Sequence, residues 1–144
     1  METEIVHIKN EDEIASCFDV FKVLRPHLDK QRFMSQVLRQ KEQSFQIIVV
    51  KARDKICSAA GYRFSEHLAW GKILYVDDLI TLPECRGNGF AALLIDHLIS
   101  IAKDNDCQQL HLDTGHQRHS AHKLYLKKGM SITSHHVSMD LKVP

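Results

Sequence analysis

Pro83-Glu84-Cys85-Arg86-Gly87-Asn88-Gly89-Phe90-Ala91 joins an apolar run, Lys72–Leu82, to a helical pattern that extends from about Gly87 to Lys103. Pro83 cannot donate to a sheet ladder and ends the strand. Downstream, Ala91, Leu94, Ile95, Leu98, Ile101 and Ala102 recur at helical spacing and form one buried stripe. The first N–H groups of such a helix lack internal partners. With the helix dipole they make an anion site suited to a pyrophosphate. Gly87 and Gly89 let the backbone approach phosphate oxygens with no Cβ in the way. Arg86 adds a fixed charge and a planar donor fork, and Ala91 keeps the helix start close to a ligand. The segment Arg86-Gly87-Asn88-Gly89-Phe90-Ala91 is therefore the candidate anion cradle.

Outward from this loop, the chain reads as alternating strands and amphipathic helices. Glu4–Lys9 alternates as a first strand, with Ile5 and Ile8 inward. Asn10, followed by Glu11-Asp12-Glu13, caps a helix that carries Ile14, Phe18, Phe21 and Leu24 inward until Pro26 stops it. Asp29 caps a second helix with Phe33, Val37 and Leu38 on its apolar face. Phe45–Lys51 is a strand, Arg53-Asp54-Lys55 a hairpin turn, and Ile56–Phe64 the returning strand, whose Gly61 marks a bend or close approach. Ser65-Glu66-His67 is a polar tip before the long strand. Gln109–Asp113 is a short strand, and Ser120–Lys128 a helix ended by Gly129. Met130–Ser134 and His136–Leu141 read as a closing antiparallel pair. The expected fold is α+β, in the order β-α-α-β-β-β-α-β-α-β-β. It has a mostly antiparallel mixed sheet of about seven strands, four helices, and one parallel crossover where a ligand should sit. With no repeats, linkers or low-complexity segments, 1–144 reads as one domain.

Composition excludes several classes. The 144 residues suffice for a continuous core. The net charge of +1 comes from interleaved acids and bases, without the basic stripe of a nucleic-acid binder. No apolar run approaches a membrane span, and the acidic Met1-Glu2-Thr3-Glu4 start does not look like a secretory signal. Cys17, Cys57, Cys85 and Cys107 form no Cys-x-x-Cys pair, so free thiols in a reducing cytoplasm are expected. Cys85 reads as a small filler beside a tight turn, since no histidine-based activation pattern accompanies it.

Gly87-x-Gly89-x-x-Ala92 also fits a dinucleotide fingerprint, with Asp106 near the expected distance. Against that reading, the exit Leu82-Pro83-Glu84-Cys85-Arg86 leads from the strand to the first glycine where the dinucleotide turn is tight, Asp106 precedes its strand, and a doubly wound sheet needs more than one β-α-β unit. A second motif decides the matter. The sequence resembles the GNAT superfamily of acyl-CoA-dependent N-acyltransferases. Arg86, Gly89 and Ala91 match its [Gln/Arg]-x-x-Gly-x-[Gly/Ala] signature, and Ala121-His122-Lys123-Leu124-Tyr125-Leu126-Lys127-Lys128-Gly129-Met130 its downstream Ala-x-x-[aromatic/Leu]-Tyr-x-x-x-Gly segment. Asp78–Glu84 is similar to the family's fourth strand and its exit. In length and in its Ala-His-x-x-Tyr form the chain is similar to small bacterial amine acetyltransferases, the aminoalkylphosphonate N-acetyltransferase type among them.

The resemblance implies acetyl-CoA as cosubstrate and direct attack by a free amine in a ternary complex. It implies that a backbone N–H near Leu79 or Ile80 meets the thioester carbonyl, and that the strand edge Leu79-Ile80-Thr81 pairs with the pantetheine arm. It also implies that Tyr125 protonates the departing thiolate and contacts the cofactor. Arg118 stands where relatives often have a cofactor-binding asparagine, and either meets a CoA phosphate or is simply solvated. Tyr75 stands where some relatives have a glutamate base. Asp77 and Asp78 are the nearby carboxylates, and strand alternation expects only one of them to face the cleft, as base or ammonium anchor. His116, His119 and His122 have a metal-like look, but positions six apart on a helix diverge by about 120°, so no metal is expected. His135 or His136 is a candidate for the acceptor pocket, while Trp70 and Tyr75 read as core packing. The leading expectation is a small-molecule amine N-acetyltransferase with no nucleic-acid or membrane partner and a homodimer as one option. The alternatives are a non-catalytic acetyl-CoA sensor and a protein or peptide N-acetyltransferase.

Overall fold

A computed structural model describes residues 2–114 and 119–142. They fall into two compact units, 1–112 and 113–144. In the first unit the elements are β1 (Thr3–Ile8), α1 (Glu11–Ser16), α2 (Phe18–Leu24), α3 (Lys30–Lys41), β2 (Gln46–Ala52), β3 (Lys55–His67), β4 (Gly71–Thr81), a 3-10 turn (Pro83–Cys85), α4 (Phe90–Asp104) and β5 (Gln109–Leu112). The second unit holds α5 (His119–Lys127).

α1 and α3 begin at the caps the sequence marks, while α4 begins at Phe90, three residues after the expected Gly87. Asn10 accepts from the Glu13 N–H at 2.9 Å while Glu13 accepts from the Asn10 N–H at 3.1 Å, a reciprocal capping box. Asp29 accepts from the Arg32 N–H at 2.8 Å to open α3. The single expected first helix is in fact two, α1 and α2, which meet at Cys17. Arg53 and Asp54 both take positive φ, 52° and 63°, between Ala52 and Lys55, as a two-residue hairpin turn with the twist of its strands requires.

The sheet runs β1-β2-β3-β4-β5 in spatial order. The first four strands pair antiparallel, and β5 joins β4 in parallel, the expected crossover. One face packs Ile47, Val49, Ala59 and Ile80 against Ile14, Phe21, Phe33 and Val37 of the first three helices. α4 supplies the fully buried Leu94, Ile95 and Leu98, each of which stabilises the fold by about 1.5–3 kcal/mol through burial.

The α+β class and mixed sheet stand, but the strand count does not: the described residues form five strands and five α-helices. The expected closing pair, Met130–Ser134 with His136–Leu141, forms no ladder, and Ile132, Val137, Met139 and Leu141 lie exposed. Alternation supplies the side-chain pattern of a strand, but a strand exists only when a neighbour takes its hydrogen bonds. Among the described residues no helix is long and apolar enough to cross a membrane.

Candidate active site

The long strand carries the decisive irregularity. β3 and β4 pair Gly61 with Asp78 but Tyr62 with Val76, so Asp77 is an extra, unopposed residue in β4. Such a bulge breaks strict alternation and re-aims side chains. As a result Asp77 and Asp78 both line one cavity of about 420 Å³, together with Tyr75, where alternation expected only one of them. Phe21, Phe33 and Phe45 contribute to its floor, and Arg25 and Gln40 to its polar side.

Each carboxylate has its own guanidinium. Arg63 grips Asp77 with two bonds, Nε to Oδ1 at 3.0 Å and Nη2 to Oδ2 at 2.6 Å. Its other amino group donates to Gln43 Oε1 at 3.0 Å, and its plane lies over the Phe45 ring at 5.5 Å. Arg25 binds Asp78 differently, with Nε at 2.9 Å and Nη2 at 2.6 Å on the same oxygen, Oδ1. Asp78 Oδ2 accepts no hydrogen bond among the described residues. Pro26 is the local cause of this contact, because the residue before a proline is driven out of the helical region. Arg25 accordingly sits at φ −122°, ψ 71° as α2 ends. Burial pushes the Asp78 carboxyl above its ordinary range, and Arg25 only partly offsets the shift. Asp78 is thus a stronger base than a solvated carboxylate.

Beyond the bulge, β4 has an open edge. β5 pairs with β4 only from Ile73 to Val76, so residues 77–81 have a paired strand on the β3 side alone among the described residues. Leu82 donates to the Cys57 oxygen at 2.9 Å, which makes Cys57 and Leu82 a hydrogen-bonded pair. Hydrogen-bonded and non-bonded pairs alternate along an antiparallel ladder. Ile80 opposite Ala59 therefore points its backbone groups at β3, and Leu79 and Thr81, opposite Ala60 and Ser58, point theirs at the open edge. Of the two expected oxyanion donors, Leu79 has the free N–H. Thr81 and Ser58 bond through their hydroxyls at 2.9 Å, and Ser58 also donates to Ile80 O at 2.9 Å.

The strand leads through the 3-10 turn into the loop. Gly87 and Gly89 adopt φ of 82° and 76°, and nothing lies within 4 Å of where a Cβ would stand on either. Glycine is needed here for backbone conformation, and the open space is what a close ligand requires. Asn88 Nδ2 donates to the Cys85 oxygen at 2.9 Å and pins the loop from inside. α4 has no side-chain cap. Among the described residues, the N–H groups of residues 87–92 make no backbone hydrogen bond, and Arg86 is exposed. Free amides, positive-φ glycines and an exposed guanidinium together fit a pyrophosphate. Phe90 is buried, so only its backbone can take part, while Ala91 is half-buried.

The remaining candidates separate. Cys85 is buried, and desolvation, with Cys57 beside it, pushes its thiol up to about 11, an inert state for a nucleophile. Trp70 is not in the core but partly exposed, with His111 at 4.1 Å and His67 at 5.0 Å between ring centroids. In the second unit Tyr125 is buried, its carbonyl accepts from the Met130 N–H at 3.1 Å, and Gly129 turns the chain at φ 91°. His136 lies 3.4 Å from Asp113, both exposed. His116 and Arg118 lie outside the described residues. Among the described residues no group of three or more His, Cys, Asp or Glu is arranged to hold a metal. Sequence reading missed Arg25 and Arg63. The Arg-Pro step at the end of α2 was the only local signal of the first, and the second had none.

β4 has an open edge, a glycine loop precedes α4, and two carboxylates line one cavity, features that fit an acyl-CoA ligand beside an amine. The chain matches the model of the acetyltransferase (GNAT) family over residues 9–130 and belongs to that family, with acetyl-CoA as its cosubstrate. It is 26% identical to the uncharacterized N-acetyltransferase YhdJ of Bacillus subtilis (strain 168) over 137 residues, 91% of this chain and 96% of that protein. In fold it is similar to an aminoglycoside N-acetyltransferase in complex with CoA, at TM-score 0.83 and 14% identity over 99% of this chain and 96% of the other. It is also similar to glucosamine-6-phosphate N-acetyltransferase from Arabidopsis thaliana, at TM-score 0.78 and 17% identity over 99% and 100%.

Proposed function

We propose that this chain moves the acetyl group of acetyl-CoA to the primary amine of a small molecule by direct attack while both are bound. The observation that carries this reading is the bulge that brings Asp77 and Asp78 into one cavity beside the open edge of β4. Acetyl-CoA supplies the acetyl group as a thioester. The Arg86 guanidinium and the amides of Gly87–Ala91 bind its pyrophosphate, and the backbone groups of Leu79 and Thr81 pair with its amide-bearing arm as an added strand would. The Leu79 N–H stabilises charge on the thioester oxygen.

Asp78 is the proton acceptor for the amine, directly or through one water. It is desolvated, and its Oδ2 is uncommitted. Asp77, gripped by two bonds from Arg63, is a positioning residue that holds the bulge. Tyr125 as proton donor to the thiolate, and Arg118 as a phosphate contact, rest on the sequence motif. The high pKa of the Cys85 thiol supports transfer without an acyl-enzyme, and four free cysteines support a cytoplasmic location.

Thiol release from acetyl-CoA against a panel of small amines tests the proposal. Asp78→Asn should lower kcat/KM about 10²–10⁴-fold, the range of a general base, with acetyl-CoA binding retained. Full activity in that variant would remove Asp78 from the chemistry. Tight acetyl-CoA binding with no amine acetylated would point instead to a sensor.

A further inference from the structure

From the charge pairing and lining of the cavity we infer the acceptor class: a primary amine on a compact, uncharged, largely apolar body about the size of one aromatic ring with a short side arm. The inference rests on the acetyl-transfer reading and narrows it. At the ~30 Å³ that a water occupies in the liquid, the cavity of about 420 Å³ has room for roughly fourteen water-sized groups, enough for one aromatic ring and a short side arm.

Apart from His27 and Tyr75, the ionisable groups of its lining are spent on one another. Asp77 is matched by Arg63 and Asp78 by Arg25, each through two short hydrogen bonds. A second ammonium on the ligand would find no unpaired carboxylate. A phosphate or carboxylate would enter beside two carboxylates, and taking the Arg25 Nε and Nη2 donors from Asp78 would leave a partly buried charge without its partner, which is the costly outcome. The reacting amine escapes this penalty, because it must be neutral to attack and needs only the uncommitted Asp78 oxygen.

The rest of the lining favours carbon. Phe21, Phe33, Phe45, Leu28, Val37 and Ile47 present rings and branched alkyl groups. On the helical wall, Gln36 Nε2 donates to Gln40 Oε1 at 2.9 Å. That bond leaves the Gln36 oxygen and the Gln40 amide protons for one neutral hydrogen-bonding group. A hydrophobic site with neutral polar points selects by shape and burial, and discriminates about 10–200-fold among bodies of similar size.

The test compares three small primary amines, 2-phenylethylamine, putrescine and 2-aminoethylphosphonate, by initial rate of thiol release at fixed acetyl-CoA. The inference expects kcat/KM for 2-phenylethylamine to exceed both others by at least ~10-fold. If putrescine or the aminophosphonate matches or exceeds it, the acceptor class is wrong while acetyl transfer to small amines stands. If none of these or other amines is acetylated by protein that binds acetyl-CoA, the transfer reading itself fails, and the inference with it. A second arm uses Gln40→Glu, an isosteric change that adds an unpaired carboxylate to the wall. It should raise the putrescine to 2-phenylethylamine ratio about tenfold at unchanged circular dichroism. An unchanged ratio would show that the amine's body does not occupy this cavity.

Discussion

Gly61 offers the sharpest test of how the cavity is built. A Cβ on this residue would stand 2.5 Å from Phe45 Cζ and 2.7 Å from Cε1, where carbon contacts normally lie near 3.5–4.0 Å. The Phe45 ring is 3% exposed and packs beneath the Arg63 guanidinium, so Gly61→Ala must push it about 1 Å into its surroundings. Overpacking of this kind costs about 1–3 kcal/mol. Removing a strand glycine returns about 0.5–1 kcal/mol of backbone entropy. The clash wins, and the net loss should be about 1–2 kcal/mol, or a fall in Tm of roughly 3–8 °C for a chain of this size. Chemical denaturation with a double-mutant cycle to Phe45→Leu, which removes the clashing atoms, isolates the cause. The double variant should recover about 1 kcal/mol relative to the sum of the single changes. A Gly61→Ala protein as stable as wild type, or strictly additive losses, would refute the proposed contact between strand and ring.

Two further outcomes follow from the site. Burial raises the Asp78 pKa and Arg25 holds it down, so activity should be lost as pH falls through a value above the ordinary carboxylate range. Arg25→Gln should move that acid limb to higher pH, and a shift the other way in the kcat/KM profile would contradict the assignment. Gly89→Ala forces a side chain into φ 76°, at a strain of about 1–2 kcal/mol. It should weaken acetyl-CoA binding, read by calorimetry, more than it lowers thermal stability, and unchanged affinity would remove the loop from the phosphate site.

Much of this was legible because it is local. A cap needs an Asn or Asp and the next few residues, so Asn10 and Asp29 could be read directly. The proposed anion cradle needs only glycines ahead of a helix, and among the described residues the N–H groups of 87–92 make no backbone hydrogen bond. The central crossover followed from a strand, a helix and a strand in succession. The closing hairpin was misread because alternation describes side chains and says nothing about whether a neighbour exists to pair with.

The carboxylates show the other limit. By itself the sequence determined that Asp77 and Asp78 sit side by side on a strand leading to a glycine loop. Alternation then sent them to opposite faces. Only the tertiary structure decided otherwise, because a bulge is a property of two strands in register, here β3 against β4, and neither strand encodes it alone. The same holds for their partners. Arg25 is 53 residues from Asp78, and Arg63 is 14 from Asp77. No period in a sequence links residues that meet only when a helix end and a hairpin fold over one strand.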